Sequence, residues 1–174
     1  KDSPVHEWVA TYSDLHNAIR GVTAGDFTTR VLDVGCGNSF FSQFMYDDGY
    51  TNITSIDSSA IVIEQMVARL DGSRPGLNFL VGDATALDFE DASFDLVIDK
   101  CVLDAIVCGD HAPFMVATFL HEIDRVLKDD GVYLCISNAD AMSRMTYFQS
   151  SHLAFDTRVE TLYRHNEDEH VGYL

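Results

Sequence analysis

The sequence predicts an α/β fold built on a doubly wound, mostly parallel sheet. Short runs rich in Val, Ile, Leu and Phe alternate with stretches of helical periodicity, the order that builds strand–helix–strand units with right-handed crossovers. Several of those runs are apolar at successive positions, as strands covered on both faces are. A third observation places a ligand side: the first run ends in glycines directly ahead of a helix.

The elements follow in chain order. "HEWVATYSDLHNAI" (6–19) reads as a covering helix before the first strand. "TRVLDVG" (29–35), "NITSID" (52–57), "LNFLVGD" (77–83), "FDLVIDK" (94–100) and "GVYLCISN" (131–138) read as strands. Phe41, Phe44 and Met45 at i, i+3, i+4 predict a helix after the first strand. Ala60, Ile63, Val67 and Leu70 predict another after the second. A longer helix is expected from Pro113 to Leu127, with Val116, Phe119, Leu120, Ile123 and Val126 on its buried face. Pro113 suits its first turn and Gly131 lies just past its end.

Beyond the fifth strand, "LAFDTRVETLYR" (153–164) alternates like a strand, "HNEDE" reads as a polar turn and "HVGYL" begins another strand. Together they predict an antiparallel hairpin at the sheet edge, its last strand cut short at Leu174. Without repeats, low-complexity tracts or linkers, residues 1–174 are expected to form a single domain.

Composition narrows the function classes. Hydrophobic residues make up 47% and charged residues 22%, a balance suited to a folded globular chain. No apolar run approaches the roughly 20 residues of a membrane span, and "KDSPVHEWVA" lacks the apolar stretch of a signal peptide. A soluble, cytoplasmic protein is the expectation. Eleven Lys plus Arg against 28 Asp plus Glu give a net charge of −17. That charge opposes nucleic-acid binding and attracts basic partners. Cys36, Cys101, Cys108 and Cys135 show no metal-ligand spacing and read as reduced, mostly buried thiols. His121 reads as a surface or capping group, and Met142 and Met145 as core.

In open α/β sheets, ligands bind at the carboxyl ends of the strands, where "GCGN" falls. A dinucleotide fingerprint requires a third glycine, and Phe40 occupies that position. No G-K-[ST] follows, so the phosphate-binding loop of nucleotide hydrolases is absent as well. Asp57 ends the second strand 22 residues after Gly35, where an acid bonds a ribose hydroxyl in nucleotide-binding folds. Asp83 ends the third strand in "VGDA", placed to accept from the amine of a base. A lone Asp at a strand end is usually a turn or cap. Two on adjacent ends beside a glycine turn outline a nucleoside with a short tail.

"VLDVGCG", Asp57, "GDA" and "FDLVIDK", in that order at strand ends, resemble the class I S-adenosylmethionine-dependent methyltransferases. The resemblance covers about residues 5–140. It implies a seven-stranded Rossmann-like methyltransferase sheet ending in a hairpin, and S-adenosylmethionine as cofactor, with S-adenosylhomocysteine as product. It assigns cofactor contacts to the loop residues Asp33, Gly35, Cys36, Gly37 and Asn38, with the Gly35–Gly37 turn meeting the amino-acid portion. Asp57 and Ser58 go to the ribose, Gly82, Asp83 and Ala84 to the adenine, and Asp99 and Lys100 to the route toward the sulfonium. Trp8 is assigned a covering role.

"GCGNS" (35–39), "DKCVLDAI" (99–106) and "HEWVATY" are similar to a narrower branch that includes elongation factor 1-alpha lysine methyltransferases. Its usual D-K-G-T-L-D has Gly and Thr where this chain has Cys101 and Val102. The branch implies methylation of a protein lysine or terminus, with Asp99, Lys100 and Asp104 as candidate catalytic residues and a basic protein as substrate. A small-molecule acceptor and a non-catalytic scaffold stay open from the sequence. An oxidoreductase is disfavoured by Phe40.

Overall fold

The computed structural model describes residues 5–70, 72–149, 153, 155–163 and 170–173. Its elements are α1 (Tyr12–Val22), β1 (Arg30–Val34), α2 (Phe41–Asp47), β2 (Asn52–Asp57), α3 (Ala60–Arg69), β3 (Leu77–Val81), β4 (Phe94–Lys100), α4 (Val102–Val107), α5 (Ala112–Val126), β5 (Leu127–Ser137), α6 (Ala141–Phe148), β6 (Glu160–Tyr163) and β7 (His170–Tyr173). The strand order is β3-β2-β1-β4-β5-β7-β6. β1 to β5 are parallel. β7 pairs antiparallel with β5 and with β6.

The order reverses between β1 and β4, which makes their carboxyl ends the switch point where ligands bind. Register levels those ends, since Val34 pairs with both Ile56 and Asp99.

Strand alternation sends successive side chains to opposite faces. Leu96 and Ile98 of β4 join the core under α1, α2 and α3, with Leu15, Ile19, Phe41, Met45 and Met66. Val97 joins the core under α4, α5 and α6, with Leu103, Phe119, Leu120 and Ile123. Removing one such buried Leu or Phe costs about 2–5 kcal/mol.

The first four strands lie where periodicity puts them, β5 starts at Leu127 ahead of the expected 131, and α5 buries the expected Val116, Phe119, Leu120, Ile123 and Val126. Several local expectations need correction. The first helix starts at Tyr12, because Thr11 and Asp14 form a capping box: the Thr11 hydroxyl accepts from the Asp14 N–H and the Asp14 carboxylate from the Thr11 N–H. Residues 6–10 therefore run outside the helix. Gly131 caps nothing, since α5 passes directly into β5 at Leu127. Phe44 and Val67 face solvent; Phe41 with Met45, and Ile63 with Met66, carry the burial instead. Met142 is 74% exposed, and α6 buries Arg144 and Phe148 in its place. β6 is shorter than the stretch expected over 153–164, and the turn expected at "HNEDE" lies outside the described residues.

Among the described residues, no helix is long and apolar enough to cross a membrane. Cys36 and Cys135 are buried thiols, but Cys101 is only half-buried and Cys108 is exposed.

Candidate functional site

A cavity of about 840 Å³ opens over the carboxyl ends of the parallel strands, within the roughly 300–1,000 Å³ of small-molecule sites. Its floor is the turn after β1. Gly35 has φ +65° and Gly37 has φ +55°, the left-handed region that glycine enters freely. A Cβ on Gly35 would stand 2.2 Å from Val102 Cγ2, whereas a Cβ on Gly37 would meet nothing within 4 Å. Gly35 thus lets α4 approach the turn, and Gly37 leaves an open backbone face toward the cavity. The Cys36 N–H donates to the Ile56 carbonyl at 2.9 Å, fastening the turn to β2.

Asp57 bridges the two strand ends. Its Oδ2 accepts from the Gly37 N–H at 3.0 Å and its Oδ1 from the Ser59 N–H at 2.9 Å. Each carboxylate oxygen has a second lone pair, so both retain capacity toward a diol. Ser58, Gly82, Asp83 and Ala84 line the same side of the cavity. Asp83 Oδ1 accepts from the Thr85 N–H at 2.8 Å and its hydroxyl at 2.7 Å, a turn of its own making, while its Oδ2 stays available.

β4 separates its two expected catalytic residues, since neighbours on a strand point to opposite faces. Asp99 is fully buried beneath α4 and does not line the cavity. Its Oδ1 accepts from the Val102 N–H at 2.6 Å, and its Oδ2 from the Leu103 N–H at 3.1 Å and the Tyr133 hydroxyl at 2.8 Å. It caps a helix whose preceding residue, Cys101, offers no side-chain cap. Burial pushes the Asp99 carboxyl up to about 6 against these hydrogen bonds. The expectation that Asp99 lines the methyl route is corrected: it is a support.

Lys100 points the other way and does reach the cavity. Its Nζ lies 3.2 Å from Glu7 Oε2 and 3.2 Å from the Ala10 carbonyl, above the Phe41 ring at 4.6 Å. The ammonium is a tie, with its donors committed to the N-terminal segment. Glu7, which the sequence did not single out, completes the tie by accepting from the Phe40 N–H at 2.9 Å and the Ser39 hydroxyl at 2.7 Å. This strap carries Trp8, 60% exposed, to the cavity mouth. It includes a β-branched residue, Val9, at φ +57°.

Asp104 lines the cavity but is neither a free carboxylate nor a solvated helix residue. Its Oδ1 accepts from the Ser137 hydroxyl at 2.6 Å and from Arg144 Nε at 2.9 Å, and its Oδ2 from the Asn138 N–H at 3.0 Å. Burial raises its pKa, yet the hydrogen bonds from Ser137, Asn138 and Arg144 outweigh burial and hold it below the usual carboxylate range. Arg144 was hidden from sequence reading because its partner lies 40 residues away.

Three expected cofactor contacts are not in the cavity wall. Asp33 is buried behind the turn, its Oδ2 accepting from Ser42 at 2.5 Å and its Oδ1 without a hydrogen-bond partner among the described residues. Cys36 is buried in the core under α1, α2 and α3. Asn38 is turned away: its side-chain oxygen accepts from the His6 N–H, and its carbonyl from Arg69.

Charge then decides which ligand fits. Asp57, Asp83 and Asp104 line the cavity, and among the described residues Lys100, already tied, is its one cationic lining residue. Among the described residues a phosphate would find no free cation there, while a nucleoside carrying a sulfonium and an ammonium suits the field. The open backbone at Gly37 and the acids at the β2 and β3 ends match S-adenosylmethionine.

A family model described as "Methyltransferase domain" matches residues 26–169. The chain is 42% identical over 137 residues to the eEF1A lysine and N-terminal methyltransferase of Bos taurus, across 78% of this chain and 19% of that protein. It is 30% identical over 168 residues to EEF1A lysine methyltransferase 4 of Bos taurus, across 92% of this chain and 65% of the relative. This chain thus spans about a fifth of the first relative's length. Among solved structures, the PH0226 protein from Pyrococcus horikoshii superposes with a TM-score of 0.59 at 28% identity, covering 71% of this chain and 55% of that one. The chain belongs to the methyltransferase domain family.

Proposed function

We propose that this domain methylates an amine nitrogen of a basic cytoplasmic protein, a lysine side chain or an N-terminus of the elongation-factor type. The observation that carries the reading is a single cavity divided by the switch point. One half, over β2 and β3, has the acids and open turn that suit a nucleoside. The other half, over β4 and β5, is lined mainly by apolar groups, with Val102, Ala105, Ile106 and Met115 among them. The names of the relatives point to a lysine or terminal amine of an elongation factor as acceptor.

Bound S-adenosylmethionine supplies a methyl group already activated on a sulfonium, so the protein's part is positioning and preparing the nucleophile. A lysine amine must first lose a proton, which from a pKa near 10.4 costs about 4–5 kcal/mol at neutral pH. The apolar half lowers that cost by desolvating the ammonium. Asp104 does not oppose this as a bare anion would, because Arg144 pairs with it at 2.8 Å. Gly37 and Asp57 orient the donor, and Trp8 shields the mouth from water.

Calorimetric titration of S-adenosylhomocysteine, with NAD as control, tests the donor half. Micromolar binding is expected, weakened at least tenfold in Asp57→Ala and absent for NAD. Transfer of labelled methyl groups to purified eEF1A tests the acceptor. A folded chain that ignores S-adenosylhomocysteine would refute the reading.

A further inference from the structure

We infer that Asn138 is the residue that receives and orients the acceptor amine. This rests on the reading of the cavity as a donor half and an acceptor half. Asn138 follows β5 directly and lines the β4–β5 half. Among the described residues the other lining groups there are Lys100, tied to Glu7 and Ala10, Asp104, the thiols Cys101 and Cys108, and apolar side chains. Asp104 already accepts from Ser137, Arg144 and the Asn138 backbone. The Asn138 side-chain amide makes no hydrogen bond among the described residues, so it is an uncommitted amide in a wall of apolar groups, thiols and committed charges.

Its backbone is not loose. The Asn138 N–H is fixed by Asp104 Oδ2 at 3.0 Å, and the Ala139 N–H donates to Ser137 Oγ at 3.1 Å. Ser137 itself is buried. The residue is presented on a pinned corner with its functional group free, the arrangement by which a few polar groups orient a ligand in an apolar pocket. A neutral amide oxygen also has the right chemistry. It accepts an N–H of the amine while leaving the nitrogen lone pair for the methyl carbon, and unlike a free carboxylate it does not stabilise the ammonium. Asp104 and Arg144 position Asn138, and Asn138 touches the acceptor.

The test separates the two halves without knowing the acceptor. Two ligands are titrated calorimetrically: S-adenosylhomocysteine, and an analogue whose sulfur is replaced by nitrogen bearing a short aminoalkyl arm in place of the acceptor amine. In wild type the arm-bearing analogue should bind tighter. In Asn138→Ala, S-adenosylhomocysteine affinity should stay within about twofold, while the analogue should weaken about five- to tenfold, the share of one hydrogen bond. Asn138→Asp, which keeps the oxygen, should retain the arm's contribution, and thermal midpoints verify folding. Equal weakening of both ligands, no weakening of either, or no advantage of the arm in wild type would overturn the assignment. Failure of wild type to bind S-adenosylhomocysteine would instead overturn the donor reading, and this inference with it.

Discussion

Glu7 Oε2 lies 3.2 Å from Lys100 Nζ, joining residues 93 positions apart in the chain. Lys100 is almost fully buried and Glu7 about three-quarters so. Removing one member of such a pair leaves a buried charge without compensation. Glu7→Ala should lower stability by about 2–3 kcal/mol in urea denaturation. It should also weaken S-adenosylhomocysteine, because Ser39 and Phe40 of the turn lose their acceptor. Unchanged binding would show that the strap does not hold the turn.

The two glycines of the turn should respond differently. Gly37→Ala adds a methyl group in open space and incurs mainly left-handed strain, about 1–2 kcal/mol. Gly35→Ala adds the same strain plus the collision with Val102. The double variant Gly35→Ala/Val102→Ala should recover the collision component but not the strain, giving a non-additive cycle. Additive losses would mean that Val102 does not press on the turn.

Cys101 has φ +68° where the branch it resembles has glycine. Cys101→Gly removes strain of about 1–2 kcal/mol and adds up to about 1 kcal/mol of chain entropy to the unfolded state. Thermal unfolding should therefore show a change between neutral and about 1 kcal/mol stabilising. A clear loss of stability would mean that the Cys101 side chain packs more strongly than its half-buried position implies.

Burial pushes the Asp33 carboxyl up to about 6 from 3.8, despite the Ser42 hydrogen bond and the nearby Lys100 charge. A folded-state pKa raised above its unfolded value contributes stability that is full below the unfolded pKa. That contribution is lost as pH rises through the folded pKa. Asp33→Asn escapes the loss. Its stability relative to wild type should climb between pH 4 and pH 7 by something on the order of 3 kcal/mol, then level. Asp99, with the same direction of shift, is common to both proteins and cancels. A difference that does not move with pH would sink the account.

How much of this was legible in the sequence follows from the range of each interaction. Strands β1 to β4 and the buried face of α5 could be read directly, because period and burial are local properties of successive residues. Gly35, Gly37, Asp57 and Asp83 could be read too, since each occupies the end of a strand and topology brings such ends together. The starts and stops were less legible. The Thr11–Asp14 capping box moved α1 away from "HEWVA", and the passage of α5 into β5 left Gly131 without a cap to make. α4, six residues long, was too short for a periodic signal, and α6 buries Arg144 and Phe148 where its apolar Met142 faces solvent.

The sequence by itself determined the α/β class, the glycine turn and the acids at the β2 and β3 ends, because those depend on neighbours within a few residues. Only the tertiary structure decided what each charged group does. It sent Asp99 behind the sheet as a cap and Lys100 forward to Glu7, through the alternation of one strand between two cores. It neutralised Asp104 with an arginine 40 residues later, leaving Asn138 open at the cavity. A charge takes its role from its partners, and here those partners lie far along the chain and meet only when the sheet closes the distance.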